Sequence, residues 1–374
     1  KMSKTKGNVI DPIEIVKQYG TDAVRFTLAS MASPGTDIAF NVARTEGYRA
    51  FANKIWNAAR FIFMNVDRAA EIGIKVDPNQ LPILPMVGED APLEDRWIVA
   101  EFHSTASKVN RSLEHYRYDD AANAIYQFFW GSFCDWYLEI IKPRFNLSAA
   151  AEQTKPREAL KTLLSVFEAS LRLLSPFMPF LTEELWHKVY DDTSPPKKSV
   201  ALTSYPPTNQ IHSRAQIEME ALQSLIVDIR ALRKEAGWGE GETVPVRIHS
   251  YGFVNEERRN VFLENRNVIE LLAKVSDIEF CDTPLTGANT RSSLGVDVQL
   301  AGQKPIDVPA ERERLTKDIA KYEKGLAAAE RQLGNEAFLS KAPAHVVEGL
   351  KKQEAETRLL LEKAQAALKA LPKE

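Results

Sequence analysis

Apolar residues recur at helical spacing almost without interruption between residues 41 and 190. Side chains at steps of three and four share one face of a helix, which can be buried against neighbouring helices. The first such stripe is formed by Ala52, Ile55, Ala59, Ile62 and Val66. The pattern predicts a four- or five-helix bundle over 41–195, with helices near 42–66, 92–115, 119–141 and 157–190.

The chain changes character after this bundle. Four prolines between residues 191 and 209 indicate a connection rather than a further helix. Beyond it, helical patterns near 214–236 and 255–274 alternate with short β-type runs, at 244–249, 278–281 and 296–300. This alternation predicts a small α+β module over 205–305.

The end of the chain carries a third pattern, in which apolar residues alternate steps of four and three. This heptad seam comprises Leu315, Ile319, Tyr322, Leu326, Ala329 and Leu333. After a break it resumes with Val347, Leu350, Thr357, Leu361, Ala364, Leu368 and Leu371, with Glu354 as a polar exception. Two such helices joined by a short connection predict an antiparallel coiled-coil hairpin over 306–374. The fold class is therefore mainly α.

Composition excludes several classes of protein. A net charge of −3 excludes a uniformly basic nucleic-acid-binding surface, so any such surface requires local segregation of charge. Two distant cysteines make a disulfide framework or a four-cysteine zinc site implausible, and the six histidines lack metal-ligand spacing. No stretch reaches the roughly 18 apolar residues of a membrane span. We expect a cytoplasmic protein with no metal site and no membrane segment.

The first eight residues form a polar loop in which Lys1 and Lys4 stand three positions apart, with Ser3 and Gly7 softening the backbone. Two mobile ammonium groups can close over a phosphate chain and stabilise the charge of a leaving pyrophosphate. For two lysines alone, a solvated basic terminus is the commoner explanation.

The longer string Lys-Met-Ser-Lys-Thr-Lys-Gly-Asn-Val-Ile-Asp-Pro, continued by Tyr-Gly-Thr-Asp-Ala-Val-Arg-Phe over 19–26, resembles the second signature of class I aminoacyl-tRNA synthetases. Thr5 replaces the more usual Ser and retains the hydroxyl. The resemblance implies that Lys4, assisted by Lys1 and flanked by Met2 and Ser3, contacts the phosphates of ATP, with Mg in the parent enzyme. It also implies that 1–40 ends a catalytic region.

Three strings in the bundle resemble the anticodon-binding domain of the valyl-tRNA synthetase family. They are Asn-Lys-Ile-Trp-Asn-Ala-Ala-Arg-Phe (53–61), Phe-Cys-Asp-Trp-Tyr-Leu-Glu (133–139) and Ser-Pro-Phe-Met-Pro-Phe-Leu-Thr-Glu-Glu-Leu-Trp (175–186). The third string alone would also admit the isoleucyl and leucyl relatives. A coiled-coil end favours the valyl family.

This resemblance implies a parent reaction that joins valine to valine tRNA at the expense of ATP. The family's His-Ile-Gly-His signature is absent, and the chain opens on Lys1 rather than Met. We therefore expect a monomeric C-terminal fragment that binds valine tRNA and, without its catalytic domain, holds no ATP or valine and catalyses nothing. The alternative is a non-catalytic helical scaffold whose coiled coil recruits protein partners.

The first bundle helix is the stronger candidate for an RNA surface, because residues 41–66 carry four basic side chains against one acidic. Amide and guanidinium donors on one face suit base edges, and an exposed Trp56 would stack on a base. The alternative is a solvated helix face with packed aromatics. The candidate residues are Arg44, Arg49, Asn53, Lys54, Asn57, Arg60 and Phe61.

The predicted hairpin is the second candidate. Between 310 and 374 there are thirteen basic and eleven acidic residues, so any basic surface here arises from segregation. Outer heptad positions are polar in any coiled coil, and a solvated face is an equal alternative. The resemblance implies that this arm packs against the tRNA through Arg314, Lys317, Lys321, Lys324, Arg331 and Arg358.

Overall fold

The computed structural model describes the chain in segments, with single residues between 348 and 369. The segments are 10–145, 154–190, 196–208, 214–251, 255–287, 289–302 and 308–334. The chain forms two compact units, Lys1–Ala301 and Gly302–Glu374. The division between them falls close to the predicted start of the hairpin at 306. The other predicted boundaries subdivide the first unit.

Three helices open the first unit: α1 (Pro12–Tyr19), α2 (Thr21–Met31) and α3 (Val42–Glu71). The Asp11 carboxylate caps α1 by accepting the Ile13 N–H at 2.9 Å, and the Asn41 side chain caps α3 similarly. Between α1 and α2, Gly20 has a φ of 88°, a backbone conformation that favours glycine. The chain therefore turns sharply before α2.

The bundle continues through a series of α-helices and one π-helical segment, Phe128–Tyr137. The helices are α4 (Leu93–Glu114), α5 (Tyr118–Gln127), α6 (Leu138–Ile141), α7 (Thr154–Leu174) and α8 (Pro179–Val189). The predicted mainly α bundle is confirmed. The predicted helix 119–141 contains the π-helical segment. The predicted helix 157–190 is two helices: α7 ends at Leu174, because Pro176 has no N–H to continue it, and α8 begins at Pro179.

The α+β module contains three helices, α9 (Arg214–Glu235), α10 (Asn255–Glu264) and α11 (Arg266–Ala273). Its strands are β1 (Val244–Ser250), β2 (Val275–Phe280), β3 (Thr290–Ser293) and β4 (Val296–Leu300). The predicted helix 255–274 is divided at Asn265. Strand β3 escaped prediction because its Thr-Arg-Ser-Ser sequence has no apolar alternation.

The four strands form one mixed sheet in the order β2-β1-β4-β3. Strand β1 is parallel to β2 and antiparallel to β4, so that Val246 lies opposite both Ile278 and Leu300. These three side chains are buried. Helix α9 packs against β4, and α11 packs against β2 and α9. The module is thus an α-layer on a sheet whose central strand supplies the core.

One cluster of buried apolar side chains extends from Phe26 in α2 to Leu300 in β4. Aromatic rings dominate its bundle half, where Phe133 stacks on Phe167 at 6.1 Å between centroids. Helix α9 packs on α4, and its Glu218 pairs with Arg96 at 3.4 Å. The core is therefore continuous from the bundle to the module, and α3 packs against a large, close-packed interior.

The second unit begins with α12 (Val308–Leu333). Its predicted seam is the covered side of the helix: Leu315 and Ala329 are buried, and the other four seam residues are half-buried. Among described residues of 348–369, Leu350, Glu354, Thr357, Leu361 and Leu368 are half-buried, at the predicted spacing.

Two contacts lie between these helical stretches. Arg358 pairs with Glu330 at 3.0 Å, and a Cβ on Gly325 would lie 3.7 Å from Thr357 Cγ2. The connection, residues 335–347, lies outside the described residues. The antiparallel coiled-coil hairpin therefore stays a prediction, supported by the seam.

Candidate nucleic-acid interface

Helix α3 separates its side chains into a buried and an exposed face. Phe51, Ile55 and Ile62 are fully buried in the continuous core. The opposite face exposes a stripe that we call the α3 face, formed by Asn53, Trp56, Asn57, Arg60 and Met64. Because the buried residues hold the helix along most of its length, the exposed side chains occupy fixed positions on a rigid surface.

Two large hydrophobic side chains are exposed on the α3 face: Trp56 is 43% exposed and Met64 is 49% exposed. Most aromatic rings of the bundle are buried or half-buried, among them Phe51, Phe129 and Tyr137. An indole beside amide and guanidinium groups provides a surface on which a nucleic-acid base can stack. The sequence predicts stacking by Trp56 only if its ring is exposed, and the structure exposes it. Met64 was missed, although it lies one turn after Arg60.

The polar side chains of the α3 face are available to a ligand. In the described part of the chain, Asn53, Asn57 and Arg60 make no side-chain hydrogen bond or ion pair, and all three are exposed. Arg44, nearer the start of α3, is exposed and equally unengaged among the described residues. These four predicted residues retain all their hydrogen-bonding capacity.

Three other predicted residues of α3 are engaged within the protein. Lys54 donates to the Asp135 carboxylate and lies 4.5 Å from the centroid of the Trp130 ring. The Phe61 ring is half-buried and packs edge-on against Phe145 at 6.3 Å. Arg49 is exposed and donates to the Gln18 carbonyl at 3.3 Å.

The π-helical segment that contains Asp135 is joined to α4 by a buried polar network. The Tyr137 hydroxyl donates to Asp95 at 2.8 Å, and Arg144 donates to Asp95 at 2.8 Å and to Glu94 at 3.0 Å. Burial raises the pKa of Asp95, and Arg144 opposes that shift. Buried hydrogen bonds of this kind fix the π-helical segment in position. They therefore also fix Asp135 and Trp130, the two residues that contact Lys54.

The signature segment 19–26 and the bundle string 175–186 meet in space. The Asp22 carboxylate of α2 accepts the N–H groups of Leu181 at 2.6 Å and Phe180 at 3.3 Å, at the start of α8. Arg25 donates to the Pro176 carbonyl at 2.9 Å. Burial raises the pKa of Asp22, although both N–H groups favour the ionised form. Residues that follow the predicted phosphate-binding loop are thereby fastened to the bundle.

Helix α12 presents a row of cations on the side opposite its seam. Lys317, Lys321, Lys324 and Arg331 are all exposed and follow one another at steps of four, three and seven. Lys317 pairs with Glu313 at 2.7 Å. In the described part of the chain the other three make no ion pair. We call these three residues the arm stripe.

The remaining predicted residues are placed differently. Arg358 pairs with both Glu354 at 2.7 Å and Glu330 at 3.0 Å, and the Glu354 hydrogen bond is the main reason that its pKa is raised. The side chain of Arg314 and all of Lys1, Met2, Ser3 and Lys4 lie outside the described residues.

Among the described residues, no three His, Cys, Asp or Glu side chains are grouped so as to hold a metal ion. Cys134 and Cys281 are both free thiols, and burial raises the pKa of Cys134 to about 12. No helix in the described part of the chain is long and apolar enough to cross a membrane.

Three protein-family models match three separate segments of the chain. Residues 1–41 match the class I tRNA synthetases for I, L, M and V, and 95–248 match an anticodon-binding domain of tRNA ligase. Residues 307–372 match the valyl tRNA synthetase tRNA binding arm. The arm stripe lies within the last match, whereas α3 lies between the first two.

Curated relatives match nearly the whole chain. A valine–tRNA ligase of Aquifex aeolicus is 37% identical over 99% of this chain and 31% of its own length. Those of Solibacter usitatus and Dechloromonas aromatica are 38% and 35% identical, over 94% and 99% of this chain and 37% and 42% of their own lengths. The chain therefore spans between 31% and 42% of the length of these relatives.

Among solved structures, a ternary complex of Agrobacterium radiobacter LeuRS with tRNA and LeuAMS aligns with 81% of this chain and 31% of that chain. The TM-score of this alignment is 0.39 and the sequence identity is 17%.

Proposed function

This chain belongs to the valine–tRNA ligase family, and on that premise we propose that it holds valine tRNA for a valine–tRNA ligase. In a protein of the relatives' length, the reaction would activate valine with ATP and transfer it to the tRNA. The activity, the substrates and the partners are parts of this proposal, because the chain matches less than half the length of each relative.

The observation that carries the proposal is the α3 face. Asn53, Asn57 and Arg60 offer unengaged donors beside the exposed Trp56, on a helix fixed to a continuous core. Unpaired bases are bound in proteins by stacking on aromatic rings and by hydrogen bonds to their edges. The anticodon loop of a tRNA presents such bases. We therefore assign the anticodon loop to this face.

Arg44 and Arg49 extend the same helix toward its start and would contact the phosphates that flank the anticodon. Both are exposed, and Arg49 has only a carbonyl as its partner. Lys54 and Phe61 would contact the anticodon loop only by leaving partners that they already have. We therefore keep these two as secondary contacts in the proposal.

The arm stripe would provide the second contact with tRNA. Lys321, Lys324 and Arg331 lie on one exposed side of α12, and the matched family model describes a tRNA binding arm. Such lysines bind phosphates as point charges without reading sequence. Arg314, Lys317 and Arg358 belong to the same proposed surface, with Arg358 released from Glu330 and Glu354 on binding.

The phosphate-binding loop is the proposed catalytic contribution. Lys1 and Lys4, with Met2 and Ser3, would hold the phosphates of ATP, and Mg would be bound in the parent enzyme. Support comes from the class I match over 1–41. Lys4→Ala in the full-length enzyme should reduce valine-dependent pyrophosphate exchange by about a hundredfold or more while leaving tRNA affinity unchanged. Unchanged exchange would remove this role.

We further propose that the protein is a monomer and that it is located in the cytoplasm. Two free cysteines, one of them buried, suit a reducing compartment. A single chain presents both the α3 face and the arm stripe, so the proposed tRNA contacts require no second copy.

The experiment is a titration of this chain with a bacterial valine tRNA and with the same tRNA carrying a different anticodon. We expect tighter binding of the first, with an affinity that falls steeply with salt. Equal and weak binding of both tRNAs would instead favour the non-catalytic scaffold.

A further inference from the structure

The turn between α4 and α5 exposes two tyrosines that no part of the proposed function uses. Tyr116 is 70% exposed and Tyr118 is 42% exposed. We call residues 115–118 the α4–α5 corner. In the described part of the chain, Tyr116 makes no side-chain hydrogen bond and no ring contact. Its side chain therefore adds almost nothing to the packing of the bundle.

The backbone of Tyr116 is in a conformation that normally selects glycine. Its φ is 56°, in the left-handed region. The Tyr116 N–H donates to the Leu113 carbonyl at 3.0 Å and the Arg117 N–H to the Ser112 carbonyl at 2.8 Å. This pair of bonds is the common helix ending in which glycine occupies the left-handed position, because a Cβ there is unfavourable. Tyrosine at this position weakens the fold without a compensating contact.

The corner is held rigidly. Arg117 grips Asp119 with two hydrogen bonds of 2.9 Å and pairs with Asp120 at 2.9 Å. Asp119 also accepts a hydrogen bond from Ser33, in the segment between α2 and α3. Because these contacts fix the backbone that carries Tyr116, little backbone freedom is lost at the corner when a ligand binds.

The last turns of α4, which precede Tyr116 in the chain, expose two cationic side chains, Lys108 and Arg111. Lys108, Arg111 and His115 are exposed and share one stripe of the helix, at steps of three and four. Among the described residues, the Lys108 and Arg111 side chains have no ion-pair partner. One exposed carboxylate, Glu114, lies in the same turn. Aromatic rings next to unpaired cations are typical of surfaces that bind unpaired nucleotides.

We propose that Tyr116 is a stacking platform for an unpaired base of the bound tRNA, with Lys108 and Arg111 contacting the adjoining phosphates. This inference rests on the proposed tRNA binding and adds a contact outside the α3 face and the arm stripe. It accounts for a bulky aromatic at a glycine position, since the stacking partner belongs to the ligand.

A matched control exists within the chain. Lys274, at the end of α11, is exposed and has a φ of 54°. Lys274→Gly relieves the same backbone conformation far from the proposed contact in sequence, and Tyr116→Gly relieves it at the corner. Both variants should raise the melting temperature of the first unit, by about 2 °C.

The test compares tRNA affinity in the whole chain. Stacking on one aromatic ring corresponds to roughly a tenfold change in affinity, so Tyr116→Gly should weaken valine tRNA binding about tenfold. Tyr116→Phe keeps the ring and should bind within about twofold of the unaltered chain, and Lys274→Gly should bind unchanged. Tyr116→Leu keeps a side chain at the left-handed position but removes the ring, so it should weaken tRNA binding as much as Tyr116→Gly does. It replaces the glycine variant in the test if that variant fails to fold.

Other outcomes overturn the inference. If Tyr116→Gly and Tyr116→Leu bind tRNA as tightly as the unaltered chain while Arg60→Ala binds weakly, the corner serves a protein partner or none, and tRNA binding still stands. Equal weakening by Lys274→Gly would show a general effect of the turn and would also overturn it. A chain that binds no tRNA at all refutes the proposed function first.

Discussion

The α3 face and the arm stripe are both exposed rows on helices, yet they differ in chemistry and in support. The α3 face combines amides, one guanidinium and an indole, and its helix is buried on the opposite side in a core shared with the whole first unit. The arm stripe consists of two lysines and an arginine on a helix covered only along a narrow seam. One surface is suited to distinguish bases, and the other to hold a phosphate backbone.

This difference would allow a chain with a net charge of −3 to bind RNA in the way that we propose. Among the described residues, Arg60 on the α3 face and the three cations of the arm stripe have no ion-pair partner, whereas others, such as Arg358 with Glu354, are neutralised by ion pairs. Contacts to phosphates govern affinity and its dependence on salt, whereas contacts to bases govern selectivity. The two surfaces should therefore respond differently to substitution.

The largest expected effect tests the rigid support of the bundle. Arg172 in α7 is buried against Glu168 at 2.9 Å and donates to the Ser204 carbonyl at 2.9 Å. Arg172→Ala leaves the Glu168 carboxylate buried with the Trp186 hydrogen bond but without a neutralising cation, and should lower the free energy of unfolding by about 3–5 kcal/mol. Urea denaturation measures this loss. Arg331→Ala, on the exposed arm, is the control and should change it by less than about 0.5 kcal/mol.

The next effect concerns the arm stripe. Replacing Lys321, Lys324 and Arg331 together by Ala removes three phosphate contacts. The slope of log affinity against log salt should fall by about 3, and tRNA affinity at low salt by roughly a hundredfold. Valine tRNA and its anticodon-substituted variant should lose affinity equally. An unchanged salt slope would exclude the stripe from the interface.

A smaller effect is expected at the ring of the α3 face. Trp56→Ala should weaken valine tRNA binding about tenfold without changing the salt slope, because stacking involves no counterion release. Trp56→Phe should retain most of the affinity. If both variants bind like the unaltered chain, the exposed indole has no part in tRNA binding.

The smallest effect concerns Lys54, which the sequence placed among the tRNA contacts. Its ammonium is held by Asp135 and Trp130, so Lys54→Ala should lower the free energy of unfolding by about 0.5–1 kcal/mol. Because Lys54 is only a secondary tRNA contact in the proposal, the salt slope should fall by much less than about 1. Asp135→Ala should cause a similar loss, and the double variant no more than either alone. A salt slope lower by about 1 would instead make Lys54 a phosphate contact.

Helical periodicity was sufficient to predict the bundle, the position of α3 and the seam of α12, because buried faces repeat regularly in sequence. The π-helical segment and strand β3 were not predictable, since neither has a periodic apolar signature. On α3, the sequence could not separate Arg60 from Lys54. Both are basic, and only the folded chain brings Asp135, distant in sequence, to one of them. Likewise, the backbone at Tyr116 became visible only in three dimensions.

The central claim is that the α3 face selects the tRNA and the arm stripe only holds it. The direct measurement is the ratio of affinities for valine tRNA and its anticodon-substituted variant, in three proteins. These are the unaltered chain, the Asn57→Ala/Arg60→Ala variant and the triple arm variant. We expect the ratio to fall about tenfold or more in the α3 variant and to stay unchanged in the arm variant. A ratio that falls in the arm variant and persists in the α3 variant would contradict the account.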